Sequence, residues 1–170
     1  MQCCFIGHRT IVKSKELIFL LKQTIIDLID KGVTTFLFGS MSEFDELSWE
    51  IVTELKVTYP FIKRVYVRSA FQYIDDFYEK YLLESYEETY FPPKLENAGR
   101  CSYVERNYEM INSSDYCIFY YNENYVVSSS RQNERRSGTK IAYSYALKKK
   151  KIIINLYKHF DKYIYNTNRF

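Results

Sequence analysis

Two hydrophobic patterns alternate along the chain. Short apolar runs that end in glycine or in polar residues are typical of buried strands, and they cover residues 2–6, 34–38, 62–67, 115–121 and 151–156. Between them, apolar residues recur at helical spacing, over residues 14–31, 42–57, 102–112 and 138–149. This alternation predicts a parallel sheet with right-handed crossovers. We therefore expect an α/β, Rossmann-like fold with an open, mainly parallel five-stranded sheet and helices on both faces.

Two segments interrupt the alternation. Residues 69–100 are rich in tyrosine and acidic side chains and then carry prolines and a glycine, so we interpret them as an insertion with some helix around 73–82. Residues 122–136 are polar, serine-rich and charged, which predicts a mobile loop. With these additions, the length of 170 residues fits a single domain over residues 1–170.

Composition narrows the class of protein. Hydrophobic residues make up 46% of the chain, which argues against disorder. The net charge of +3 is too balanced to indicate nucleic-acid binding by itself. The longest apolar run is too short to span a membrane and the start shows no signal peptide, so we expect a cytoplasmic protein without membrane contact. The four cysteines lack metal-ligand spacing, and we expect neither a metal nor a cofactor.

The first candidate loop is Gly7-His8-Arg9, directly after the first predicted strand. In open parallel sheets, ligands bind outside the carboxyl ends of the strands, where the strand order reverses. Gly7 would let the backbone approach a ligand, Arg9 would grip a phosphate, and His8 would donate a hydrogen bond or act in acid–base chemistry. The alternative is that Gly7 only turns the chain and that His8 caps a neighbouring carbonyl.

The second candidate loop begins at Gly39-Ser40 and leads into a helix that carries Phe44 and Asp45. A helix N-terminus after small residues is suited to anions. The acidic side chain of Asp45 would repel phosphate but suits ribose hydroxyls. The alternative is helix capping alone, because Ser42 followed by Asp45 resembles a capping box.

Two further helix starts would face the same edge. Ser137-Gly138-Thr139 opens the last helix, where free amides and hydroxyls can cradle a phosphate. Glu105-Arg106-Asn107 lies in the first turns of another helix, from which the arginine would reach the edge. The alternative for this second group is a solvated helix face with a local ion pair.

Together, the motifs at residues 3–9, 38–45, 105–107, 114–115 and 137–139 resemble the SLOG superfamily, which includes DprA and LOG proteins. The opening run from Cys3 to Arg9 is especially similar to the YpsA-like branch. The resemblance implies a Rossmann-like domain of bacterial or phage origin that binds nucleotides or nucleotide-derived signals. It also implies which enzyme chemistry to test, because LOG proteins cleave the base from nucleoside monophosphates.

That chemistry depends on an arginine from a helix and on a glutamate beside a glycine-threonine motif. By this resemblance, Arg106 matches the arginine and Gly138-Thr139 matches the motif, whereas Lys140, Ile141 and Ala142 stand where the acid would follow. The nucleophilic glutamate of the similar nucleoside deoxyribosyltransferases is absent as well. The departures favour recognition over cleavage of a glycosidic bond.

Three hypotheses follow. The first is a module that binds a nucleotide or nucleotide-derived signal, such as an ADP-ribose-like molecule or a nucleoside phosphate. Its predicted ligand-binding residues are Gly7, His8, Arg9, Gly39, Ser40, Phe44, Asp45, Arg106, Asn107, Ser137, Gly138 and Thr139. The alternative is an N-glycosidase or phosphoribohydrolase acting on nucleoside monophosphates, in which Asp45 or Glu105 would supply the acid and Arg106 would assist.

The second alternative is binding of single-stranded nucleic acid, with arginines of the 122–136 loop and the lysine run at 148–151 along the phosphates and tyrosines stacked on bases. Because the net charge is modest, we do not expect nucleic acid as a partner. We do expect a homo-oligomer, a dimer or tetramer, since the aromatic 69–100 segment offers apolar surface.

Overall fold

A computed structural model describes residues 1–39, 42–124 and 137–157. Its strands are β1 (Gln2–Gly7), β2 (Thr35–Phe38), β3 (Lys63–Val67), β4 (Glu88–Tyr90), β5 (Tyr116–Tyr120) and β6 (Ile152–Asn155). They form one six-stranded sheet in the order β4-β3-β2-β1-β5-β6, and every strand pair is parallel. The predicted Rossmann-like α/β fold is confirmed. The strand order reverses between β1 and β5, which makes their carboxyl ends the topological switch point.

Five helices connect the strands: α1 (Lys15–Asp30), α2 (Glu43–Leu55), α3 (Asp76–Leu83), α4 (Ser102–Ser113) and α5 (Gly138–Lys148). The first of them begins at a serine cap and ends just before a glycine, residue types typical of those two positions. The Ser14 hydroxyl accepts a hydrogen bond from the Leu17 amide at 3.2 Å. Gly32 takes a φ of +92°, a left-handed conformation that a residue with a Cβ adopts at a cost.

The core has two layers because successive residues of a strand point to opposite faces. Cys3 and Phe5 of β1 pack with α1 and α2 on one face. Cys4 and Ile6 pack with α4 and α5 on the other face. Both faces of β1 are therefore covered, which explains why its sequence is a continuous apolar run rather than an alternating one.

The prediction of five strands was wrong, since β4 adds a sixth. Its three residues, Glu88 to Tyr90, are exposed or half-buried at the edge of the sheet and pair only with β3. Such a short edge strand needs no apolar run, so no hydrophobic pattern marks it. An ion pair beside it helps to fix the pairing, with Arg64 Nη2 at 2.8 Å from Glu87 Oε1.

The structure describes the two irregular segments, 69–100 and 122–136, to different extents. The helix expected around 73–82 is present as α3. Of the loop predicted at 122–136, residues 125–136 lie outside the described residues. None of the helices in the described ranges has the length and apolar character needed to cross a membrane.

Candidate functional site at the carboxyl edge

His8 joins the carboxyl ends of β1 and β5 at the switch point. Its backbone amide donates to Tyr120 O at 3.3 Å, and the Asn122 amide donates to His8 Nε2 at 2.9 Å. The residue is only 2% exposed. Burial lowers the pKa of His8, and the contact with the Asn122 backbone only partly opposes that effect. A neutral, buried imidazole that accepts from the Asn122 amide stabilises the edge, whereas the alternative for His8 expected it to cap a carbonyl.

Arg9 is exposed, in contrast to His8 before it. The loop that carries it is attached to α2 at two points. The Glu43 amide donates to Arg9 O at 2.9 Å, and the Glu43 carboxylate accepts from the Ile11 amide at 2.9 Å. Arg9 therefore extends from a fixed backbone at the switch point, with its guanidinium available to an anion.

Gly7 has a packing role in this structure. A Cβ at this position would lie 2.5 Å from the Cβ, Cγ and Cδ1 atoms of Phe44. Phe44 is fully buried and stacks on Tyr120 with 5.6 Å between ring centroids. The close approach that glycine permits is made by Phe44 of α2, and Phe44, predicted to bind ligand, lies in the core.

Gly39, at the end of β2, receives two polar side chains. Arg106 Nη1 donates to Gly39 O, and the Gly39 amide donates to Asp45 Oδ1 at 3.2 Å. Arg106 and Asp45 are each 5% exposed. Burial lowers the pKa of Arg106, while the nearby Asp45 carboxylate favours its charged form. The two side chains hold Gly39 by binding its backbone amide and carbonyl.

This cluster changes the interpretation of the second loop. Ser42 Oγ accepts from the Asp45 amide at 3.1 Å, as the first half of a capping box does. The Asp45 carboxylate accepts from the Gly39 amide, so this side chain also serves the end of the preceding strand. Asn107 Oδ1 accepts from Arg106 Nε at 3.2 Å, which fixes the guanidinium further. Ser40, also predicted to bind ligand, lies outside the described residues.

The remaining candidate acid, Glu105, is half-buried on α4. Its carboxylate forms no hydrogen bond or ion pair with another residue in the described part of the chain. Asp45 and Arg106 both bind the Gly39 backbone, and no hydrogen bond or ion pair joins Glu105 to either of them among the residues that the structure describes. Across residues 1–39, 42–124 and 137–157, no three His, Cys, Asp or Glu side chains group as a metal site requires.

The first turn of α5 lies beside β1. Ser137 Oγ accepts from the Lys140 amide at 3.1 Å, and Thr139 Oγ1 donates to Gly7 O at 2.9 Å. The Thr139 hydroxyl thus anchors the helix to the strand. Gly138 is exposed, and a Cβ added there would meet no described atom within 4 Å. The helix start is open where its free amides would receive an anion.

Three residues contribute to this edge without having been predicted. Asn122 binds His8, as above. The buried Asn155 side chain accepts from the Tyr121 amide at 3.1 Å and donates to Tyr121 O at 2.9 Å, so it continues the β5–β6 pairing. Nothing in their sequence context distinguishes these asparagines from surface residues.

Tyr103 is the third. It is 46% exposed, and the Arg106 Cζ atom lies 5.8 Å from the centre of its ring. Here a signal existed, since Tyr103 precedes Arg106 by three residues on a predicted helix and residues three apart are neighbours on a helix surface.

Comparison with known proteins places the fold. No family model matches the chain, and no curated protein does either. Among solved structures, the chain is similar to DNA processing protein A (DprA) from Helicobacter pylori, in a structure that concerns the single-stranded DNA binding mode of that protein. The TM-score is 0.53 at 16% identity, over 90% of this chain and 63% of the other. This chain thus spans less than two thirds of the length of that one.

This similarity corrects two expectations. A nucleotide or nucleotide-derived signal was the first hypothesis for the ligand, and nucleic acid was not expected as a partner. The comparison contradicts both expectations, because the similar structure belongs to a protein that binds single-stranded DNA. Net charge averages over the whole surface, whereas a binding site depends on local charge, so the value of +3 does not argue against nucleic acid as a partner.

Proposed function

We propose that the chain binds single-stranded DNA along the carboxyl edge of its sheet. The observation that carries this proposal is the exposed Arg9, whose loop is held to Glu43 at Arg9 O and at the Ile11 amide, at the switch point of a fold similar to that of DprA. An arginine on a fixed backbone suits a phosphodiester, since its planar guanidinium can donate two parallel hydrogen bonds.

The start of α5 supplies a second phosphate position. Thr139 binds the carbonyl of Gly7, two residues before Arg9, so this helix start lies close to the Arg9 loop. Ser137 caps the Lys140 amide, which leaves the amides of Gly138 and Thr139 for an anion. Partial positive charge at a helix N-terminus adds to the attraction of the arginine.

Tyr103 supplies a surface for a base. Its ring is nearly half exposed, and the Arg106 guanidinium beside it is fixed by Gly39 and Asn107. Stacking of bases on aromatic rings favours single strands, because bases in a duplex are already stacked, and it contributes about 1–3 kcal/mol per base. This arrangement predicts a preference for single-stranded over duplex DNA.

The proposal is tested by fluorescence anisotropy with a labelled single strand of about 20 nucleotides. We expect binding that weakens between about 50 and about 200 mM salt. Arg9→Ala should weaken binding about tenfold and reduce the slope of log K against log salt by about 1. Lys31→Ala is the matched control, since it removes one exposed positive charge at the opposite edge, after α1.

A result against the proposal is equally clear. If the wild-type chain fails to bind the strand at low salt, or if Arg9→Ala and Lys31→Ala bind alike, Arg9 is not part of a DNA site. Tyr103→Ala sharpens the test, because it should weaken single-strand binding severalfold and leave the salt slope unchanged.

Three finer points belong to the same proposal. Membership of the YpsA-like branch is supported by the run from Cys3 to Arg9. A cytoplasmic location is supported by the uncrosslinked cysteines, of which Cys3, Cys4 and Cys117 are buried. A single domain over residues 1–170 is supported by the one sheet that includes strands from Gln2 to Asn155.

A further inference from the structure

Helix α3 exposes an unusual number of aromatic side chains. Phe71 just before it is 71% exposed, and Phe77 and Tyr81 on the helix are 81% and 60% exposed. Phe77 and Tyr81 are four residues apart and therefore share one face of the helix. Leu82 is the one buried residue of α3. These three aromatic residues and Tyr78, which is 37% exposed, with the acids Asp76, Glu79 and Glu84 beside them, are called the α3 surface below.

Several contacts within the chain fix the position of Phe71. Phe71 has a φ of +57°, a left-handed conformation that is unfavourable for an aromatic residue. Arg68 Nη1 holds it by donating to Phe71 O at 2.7 Å. Its ring meets Tyr78 edge-on at 6.4 Å between centroids, and Tyr78 stacks on Tyr81 at 6.1 Å. The rings thus form a row that is in place before any partner arrives.

The charge of this surface identifies its partner. Asp76, Glu79 and Glu84 are exposed, and none of them forms an ion pair with another residue in the described part of the chain. Lys80 is the one cation of α3. Acidic side chains repel the phosphates of DNA. The α3 surface therefore suits a basic protein surface with an apolar centre.

The chain carries such a surface at the end of α5, formed by Leu147 and the exposed lysines 148–150. Leu147 is 56% exposed, and Lys149 Nζ lies 5.4 Å from the centre of the Tyr145 ring. These lysines form no ion pair with any acid in the described ranges. Lys151 anchors the segment by donating to Asn112 O at 2.9 Å and to Ser114 O at 2.8 Å.

The two surfaces lie at opposite sides of the sheet. Helix α3 leads into the edge strand β4, and the lysine run leads into the other edge strand, β6. Six strands are separated by five spacings of about 4.8 Å, or about 24 Å in total. The surfaces therefore do not meet within one chain, but they are free to meet between chains.

We propose that copies of this chain associate head to tail, with the α3 surface of one copy against the α5 end of the next. Opposite charges set the orientation, and the aromatic row packs against Leu147 and the lysine stems. Because the two contacting surfaces differ, the assembly is heterologous and extends as a row or closes as a ring. The inference goes beyond the proposed function, and its test contains no DNA.

Sedimentation velocity over a concentration series measures this association directly. The wild-type chain should form species larger than a dimer as its concentration rises to about 100 μM. The double variant Phe77→Ala and Tyr81→Ala should associate at least tenfold more weakly, because aromatic residues contribute most to interfaces. Phe19→Ala is the matched control, since Phe19 is a 66% exposed aromatic residue on α1. Its association should equal that of the wild type.

Charge reversal tests the pairing of the two surfaces. Glu79→Lys alone and Lys149→Glu alone should each weaken association about fivefold, because like charges then face each other. An equimolar mixture of the two variants should recover it. A wild-type chain that stays monomeric overturns the proposal. So does association that Lys149→Glu leaves unchanged, which would indicate a two-fold contact or another partner surface.

Discussion

Gly7 and Gly39 end neighbouring strands, and at both positions a Cβ would lie 2.5 Å from another side chain. The neighbours differ in kind. At Gly7 the obstacle includes the Cβ of Phe44, an atom fixed by the backbone of α2. At Gly39 it is the guanidinium of Arg106, the far end of a flexible side chain from α4.

The difference teaches what a glycine after a strand signifies. A glycine at this position indicates that another group lies close to the backbone, but it does not identify that group. At Gly7 an aromatic residue completes the core, and at Gly39 a buried cation satisfies a backbone carbonyl. At both glycines the space is filled by the protein itself, whereas the side chain of Arg9 is exposed.

The largest effect is expected from Gly7→Ala, which should lower the free energy of unfolding by about 3 kcal/mol. The added methyl group meets the Phe44 Cβ, so α2 must move away from β1. Phe44→Leu keeps that Cβ, and the cost of Gly7→Ala should therefore be the same in this background. Urea denaturation of the four proteins measures it. If Phe44→Leu removes the cost, the obstacle is the ring and not the helix backbone.

Gly39→Ala should cost less, about 1–2 kcal/mol, because Arg106 can move but loses its bond to Gly39 O. In an Arg106→Met background, which removes the guanidinium, the cost of Gly39→Ala should fall below about 0.5 kcal/mol. The same denaturation cycle reports the coupling. Equal costs in both backgrounds would contradict the contact between Arg106 and Gly39.

A pH effect distinguishes the two strand ends further. Burial lowers the pKa of His8, so the unfolded chain takes up a proton at His8 more readily than the folded chain. The stability that depends on neutral His8 is complete above about pH 6.5 and is lost as the pH falls below it. The loss approaches about 1.4 kcal/mol per pH unit at most.

Urea denaturation between about pH 5.5 and 7 checks this prediction, since most carboxylates stay ionised in that range. His8→Gln keeps an acceptor for the Asn122 amide and does not titrate. Its stability should vary less with pH than that of the wild type. Equal slopes for the two proteins would show that His8 is not the titrating group.

The smallest effect on stability is expected from Arg9→Ala. Its side chain is exposed and the loop is held through backbone atoms and Glu43, so the free energy of unfolding should change by less than about 0.5 kcal/mol. The same substitution should weaken binding of single-stranded DNA about tenfold. A large loss of stability would contradict this prediction and show that Arg9, like Gly7 and Gly39, is needed for the stability of the fold.

Most of the fold was predictable because its strands and helices carry strong periodic patterns. Ser14 and Gly32, which flank α1, are residue types typical of the start and the end of a helix. Strand β4 was not predictable, since three half-exposed residues at an edge carry no hydrophobic signal. The sequence placed Arg9, Gly39 and Thr139 at the carboxyl edge of the sheet, where the structure has them, and ligand binding at that edge stays a prediction.

The roles of single residues there were harder to predict, because they depend on contacts between distant segments. Asp45 looked suited to ribose hydroxyls but binds the Gly39 amide. Phe44 was expected at the ligand and lies in the core. Sequence spacing predicts which residues lie near an edge of the sheet. Only the folded structure shows which of their side chains already contact other parts of the protein.

The double attachment of the Arg9 loop to Glu43 has a consequence for how this edge changes between related chains. A backbone fixed at Arg9 O and at the Ile11 amide would lose little conformational freedom on binding a ligand, because that entropic cost is met during folding. Any side chain at that position would be directed the same way. The preference of the edge for one class of ligand is therefore open to change by a single exposed substitution, while β1, α2 and the core beneath them stay as they are.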